Sequence, residues 1–115
     1  MAQAHTQIGY IARLAEQSGS PSSEAFLKSG VRFSLDAGET AFYEASGDAR
    51  LIDVMSGWFR LERAARDGGR QVFSFVPAGH FVGVMSGARA HYSAVAATPV
   101  EAVGYSPQAL NAMLR

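Results

Sequence analysis

The chain has 115 residues, ten Lys or Arg, ten Asp or Glu and a formal net charge of zero. One domain fits that length, whereas a (β/α)8 barrel needs about 200 residues or more. There is no Cys, which excludes disulfides, thiolate nucleophiles and Cys-ligated zinc or iron–sulfur clusters.

A hydrophobic share of 48% is ordinary for a folded globule and argues against disorder. No apolar run is long enough for a membrane span, and no basic-then-apolar leader opens the chain. A cytoplasmic setting is the expectation, since Cys-free chains need no oxidising compartment. The balanced charge gives no long-range attraction to nucleic acid.

In chain order, residues 3–18 read as a helix, with Ile8, Ile11, Ala12 and Ala15 on one face. Gly19 stops it, and Ser20-Pro21 starts a short second helix to Leu27 or Lys28. Phe26 and Leu27 are its packing residues. From Val31 the period shortens. Segments 31–35, 40–44, 50–55, 57–66, 70–76, 92–97 and 100–105 read as strands, most bounded by Gly-containing turns. Such spacing predicts a β-barrel or sandwich. Trp58–Arg66 pairs with Arg70–Val76 through the tight loop Asp67-Gly68-Gly69. Alternation puts Phe59 and Leu61 on one face, Arg60 and Glu62 on the other. Phe73, Phe75 and Phe81 are expected in the core, and Trp58 in strand packing. Gly79–Arg89 breaks the strand pattern and suits a turn plus a short helix. Ser106-Pro107 opens a last helix carrying Leu110, Met113 and Leu114. The organisation is thus helices over 1–30, a β unit over 31–106 and the start of a helix over 107–115.

Candidate chemistry is sparse. Ser93 has no His/Asp companions in a recognisable motif, and Gly-x-Ser-x-Gly is absent, so no enzyme is expected. His5, His80 and His91 are scattered, which favours surface or turn positions over a metal centre. Arg60, Arg63, Arg66 and Arg70 straddle one hairpin with Glu62 and Asp67 among them. A solvated ladder of mixed sign is the simpler reading than a phosphate-binding patch.

Six pieces stand in a telling order: Leu35-Asp36-Ala37-Gly38-Glu39-Thr40, Gly47-Asp48-Ala49, Val54-Met55-Ser56-Gly57-Trp58-Phe59-Arg60-Leu61, Asp67-Gly68-Gly69-Arg70-Gln71-Val72, Pro77-Ala78-Gly79-His80-Phe81-Val82-Gly83 and Tyr92-Ser93-Ala94-Val95-Ala96-Ala97. Together they resemble the cyclic-nucleotide-binding-like β-roll of Crp/Fnr transcription regulators over residues 22–115, nearest the Fnr/FixK branch. The resemblance implies a mainly β jelly roll, a double-stranded β-helix with flanking helices, acting as the sensory part of a dimeric regulator. DNA would be reached only through a domain not contained in these residues.

In the nucleotide-binding branch, a cassette after the Pro-x-Gly turn cradles phosphate on backbone N–H groups. A Glu after the first cassette Gly holds the ribose, and an Arg before Ser/Thr-Ala pairs with the phosphate. By resemblance, the pocket residues here are Gly83, Val84, Tyr92, Ser93 and Ala94. Val84 stands at the Glu position and Tyr92 at the Arg position, while Ser93 and Ala94 match. The spacing from Gly83 to Ser93 is also short for that cassette. Arg89 is the nearest replacement cation, but it lies three residues early. Tyr92 is expected to fill the space of the missing Arg, and the Ser93 hydroxyl to bond inside the pocket. A buried phosphate without a cation costs several kcal/mol, so neither cAMP nor cGMP is expected to bind. No cofactor or metal is expected, and the effector is an unidentified small molecule or none. The alternatives are a small cupin-like metal-binding or enzymatic roll, favoured faintly by Pro77-Ala78-Gly79-His80, and a stand-alone dimerisation module using Leu110, Met113 and Leu114.

Overall fold

The computed structural model describes residues 10–18, 21–47, 50–83, 89–106, 108, 109 and 112. Two helices, α1 (Tyr10–Ser18) and α2 (Pro21–Lys28), precede eight strands. These are β1 (Val31–Leu35), β2 (Thr40–Phe42), β3 (Leu51–Ser56), β4 (Trp58–Ala64), β5 (Arg70–Pro77), β6 (Phe81–Val82), β7 (Ser93–Ala96) and β8 (Val100–Tyr105). They form two antiparallel four-stranded sheets, β1-β8-β3-β6 and β2-β7-β4-β5. The chain passes repeatedly from one sheet to the other, which is the β-roll expected from the spacing of strands and turns.

The inner faces of the two sheets make the main core. Phe42, Ile52, Val54, Phe59, Val82 and Ala102 are buried there. The register fixes which residues face in: Phe59 lies opposite Ala96 and Val76, and Leu61 opposite Ala94 and Ser74. Gly57 makes the tight β3–β4 turn possible. Its φ is +85°, and a Cβ there would fall 2.1 Å from the Pro99 carbonyl oxygen, so only Gly fits.

A second core lies on the outer face of the first sheet, beneath the helices. Ile11, Ala15, Phe26, Leu51 and Tyr105 are buried in it, and the Phe26 and Tyr105 rings stack at 4.5 Å. The Ile11 amide donates to Asp53 Oδ1 at 2.8 Å. This carboxylate from β3 thereby satisfies a first-turn N–H of α1 and favours the helix dipole. Burial, and then the charge of Asp53, push the Tyr105 phenol up to about 12.

The expected hairpin is present, with Gly68 at φ +88° and the Gly69 amide donating to Asp67 Oδ1 at 2.9 Å. The Ser106 hydroxyl accepts from the Gln108 amide at 3.2 Å, and of the last expected helix only Gln108, Ala109 and Ala112 are described, in helical conformation. The helix expected over 3–18 is seen from Tyr10, and Leu110, Met113 and Leu114 lie outside the described residues.

The aromatic core assignment is corrected. Phe73, Phe75 and Phe81 are 39%, 56% and 44% exposed, and Trp58 is 45% exposed. The segment Val72–Val76 is apolar at both parities except Ser74, so alternation alone cannot orient it. Pairing with β4 decides: Ser74 and Val76 sit opposite the inward Leu61 and Phe59, which turns Phe75 outward. A bulge between Leu61 and Glu62 leaves Phe73 without a direct partner. Val82 pairs with inward Ile52, so Phe81 shares the outer face with Asp53. Within Gly79–Arg89, β6 occupies Phe81–Val82, and residues 84–88, which the expected short helix would include, lie outside the described residues.

Candidate functional site

The site grows from the end of β6. Gly83 follows Val82 at φ +132°, and a Cβ there would fall 2.0 Å from the Arg50 carbonyl oxygen. The backbone therefore presses against the start of β3 at a point only Gly allows. The Tyr92 hydroxyl reaches across to it. It accepts from the Gly83 amide at 3.0 Å and donates to the Gly83 carbonyl at 3.2 Å. The half-buried Tyr92 ring packs between Phe42, at 5.7 Å, and Phe73, at 5.9 Å edge-on. The Arg63 guanidinium lies over the Phe73 ring, 4.1 Å from its centroid.

Ser93 goes the other way. Glu62 lies opposite Ser93, and Leu61 opposite Ala94. Ala94 is fully buried in the roll, so alternation puts Ser93 on the outer face with Glu62. Its hydroxyl accepts from the Arg70 Nη2 at 2.8 Å and from the Glu44 amide at 2.9 Å. The expected hydrogen bond of Ser93 is thus formed outside the roll, because a one-residue step along a strand changes the face.

Arg70 organises that outer surface. Its Nε lies 3.4 Å from Glu62 and its Nη1 3.7 Å from Glu44, while Arg60 bonds Glu62 at 2.5 Å. The Arg60 hydrogen bond, seconded by Arg70 and opposed by burial, holds the Glu62 carboxyl below its ordinary range. Glu44 also accepts from the Ala64 amide at 3.0 Å, tying the β2 end to the hairpin. Of the ladder expected from the Arg-rich hairpin, Arg60, Glu62 and Arg70 pair and Glu44 joins them, whereas Arg63 lies over Phe73. Arg89, the nearest replacement cation in the sequence, donates to the Ala45 carbonyl at 2.9 Å and braces the β2–β3 loop.

Of the five pocket residues expected by resemblance, Gly83 and Tyr92 meet directly, Ala94 lines the core beside them, Ser93 faces away, and Val84 lies outside the described residues. Phe42 and Phe73 belong to the site and were not foreseen. Neither carries a polar signal, and only strand register brings them to Tyr92. Among the described residues no group of three potential metal ligands is present, and no helix is long and apolar enough to cross a membrane.

Comparison with known proteins assigns the family. The sequence model of the cyclic nucleotide-binding domain matches residues 32–115, and the chain belongs to that family. No protein of curated function matches it significantly. Among solved structures, it is similar to a proposed cAMP-binding regulatory protein from Silicibacter pomeroyi DSS-3, at 30% identity and a TM-score of 0.71 over 81% of this chain and 44% of that one. It shares its fold with the sensor domain of the transcriptional regulator DNR from Pseudomonas aeruginosa, at 18% identity and a TM-score of 0.72 over 90% and 79%. The catabolite activator protein of Thermus thermophilus matches at 24% identity and a TM-score of 0.72 over 88% and 49%. The chain spans less than half the length of the Silicibacter relative.

Proposed function

We propose that this roll is the sensory part of a Crp/Fnr-type transcription regulator of the Fnr/FixK kind, and that it does not take cyclic nucleotide. The supporting observation is the Tyr92 hydroxyl bonded to both the amide and the carbonyl of Gly83. In the family pattern that amide belongs to the phosphate cassette, and the position of Tyr92 belongs to a cation. A neutral phenol instead consumes the donor and supplies no charge for the anion. Arg70 does not replace the missing cation, since it is engaged by Glu62, Glu44 and Ser93 on the other face of the sheet. The domain is a non-enzymatic, cytoplasmic module of a homodimer. It passes a signal by shifting the population of two arrangements, and its DNA contacts are made through segments beyond the roll. Titration calorimetry of the chain against cAMP and cGMP tests the ligand claim. No saturable heat is expected for either, and a micromolar dissociation constant for one of them overturns the reading.

A further inference from the structure

With the cassette position closed by Tyr92, open volume remains elsewhere inside the roll. A pocket of about 200 Å³, about half open to solvent, lies between the edge strands β1 and β2 and the start of β3. Phe33, Leu35, Phe42 and Ile52 supply its apolar walls, Thr40 contributes a hydroxyl, and Arg50 stands at its margin. Among the described residues, no carboxylate lines it.

The placement of Arg50 follows from alternation. It is two residues before inward-facing Ile52, so it shares the inner face of the first sheet. Gly104 on β8 lies opposite Ile52, and a Cβ there would meet the Phe33 ring at 3.4 Å and the Arg50 Cδ at 3.7 Å. The Arg stem and the Phe ring therefore close over a residue without a side chain. Among the described residues, Arg50 has no ion-pair partner, unlike Arg60 and Arg70. It is an exposed cation set beside an apolar chamber.

We infer that this chamber is a binding site for a small monocarboxylate with an aromatic or branched aliphatic body. An apolar cavity of about 150 Å³ admits benzene, so the volume here accommodates one ring with a carboxylate-sized head. Burial of the ring supplies affinity, and the planar guanidinium of Arg50 pairs with the carboxylate in its preferred fork geometry. The Thr40 hydroxyl is the second polar group of the lining. Phe42 separates the chamber from Tyr92, with its ring packed against the Tyr92 ring. A ligand in the chamber thus adjoins the cassette position without entering it. The site stands on this geometry and is independent of the regulatory reading.

The test is an NMR titration of the full 115-residue chain with benzoate, with benzamide as the neutral isostere and Arg50→Gln as the variant. Benzoate binds at micromolar to millimolar concentration, with intermolecular contacts to Leu35 and Ile52 methyl groups. Benzamide binds about tenfold more weakly, and Arg50→Gln weakens benzoate about tenfold while leaving benzamide unchanged, as loss of a charge-assisted pair requires. Arg50 is exposed, so the variant keeps the fold, and a thermal melt checks it. Absence of benzoate binding, equal binding of the two probes, indifference to Arg50→Gln, or contacts to Phe73 in place of Ile52 each overturns the site. A parallel titration with cAMP separates the two readings, since cAMP binding contradicts the closed cassette and leaves the chamber untouched.

Discussion

Tyr92 and Ser93 are adjacent in sequence and serve opposite faces of one sheet. On the inner side, Tyr92 meets Gly83, Phe42 and Phe73 with a single neutral hydroxyl. On the outer side, Ser93 joins Arg70, Glu62 and Glu44 in a charged lattice. The contrast shows that the charge near the family's ligand motif stands on the outer face of the sheet, with Ser93. It also shows that a residue matching the family motif can make its hydrogen bonds on the outer face.

The inner side is stabilised by packing, so the largest effect comes from removing it. Phe59→Ala, at a fully buried position, is expected to cost about 3–5 kcal/mol in chemical denaturation. A smaller loss shows that the inner face collapses to fill the gap. Next comes Tyr92→Phe, which strips the amide and carbonyl of Gly83 of a shared partner and costs about 1–3 kcal/mol. Hydrogen exchange at Gly83 should accelerate in the same variant; unchanged exchange breaks the inner half of the comparison. On the outer side, Ser93→Ala is expected to cost about 1 kcal/mol. Its effect is expected to be non-additive with Arg70→Ala in a double-mutant cycle, and strict additivity separates Ser93 from the lattice. Arg70 is half exposed, so its pairs contribute less than buried ones would.

The smallest effect is one of pH. The Glu62 carboxyl is held below the ordinary value of 4.5 by Arg60 and Arg70. Its stabilisation is therefore complete above that value and is lost as pH falls through the lower, folded-state value. Melting curves between neutral pH and pH 3 should show a shallower acid decline for Glu62→Gln than for the native chain. An unchanged decline removes Glu62 from the lattice.

The roll was largely legible in the sequence because its turns are written in Gly, Asp and Pro. The limits of β1 and β8 coincide with the segments bounded by those turns, and β5 runs one residue past its expected end, to Pro77. The placement of side chains was less legible wherever a strand is apolar at both parities. Phe75 was assigned inward on hydrophobicity, yet β5 is an edge strand whose register, set by Phe59 and Leu61 on β4, turns it outward, while Phe73 sits at the bulge and stays partly exposed against Tyr92. Ser93 shows the same limit, since local sequence does not state which face a strand position takes. Tyr92 was legible as a replacement at a cation position; its bond to Gly83 required knowing that β6 and the start of β7 approach. The chamber beside Arg50 was invisible in the sequence, being assembled from β1, β2 and β3.

The central claim is that a neutral Tyr at position 92 and a missing carboxylate at position 84 close this roll to cyclic nucleotides. The most direct measurement is the cAMP affinity of the double variant Tyr92→Arg/Val84→Glu beside that of the native chain, by titration calorimetry. The account predicts no measurable binding to the native chain and saturable binding to the folded variant. A folded variant that ignores cAMP, or a native chain that binds it as tightly as the variant, contradicts the account.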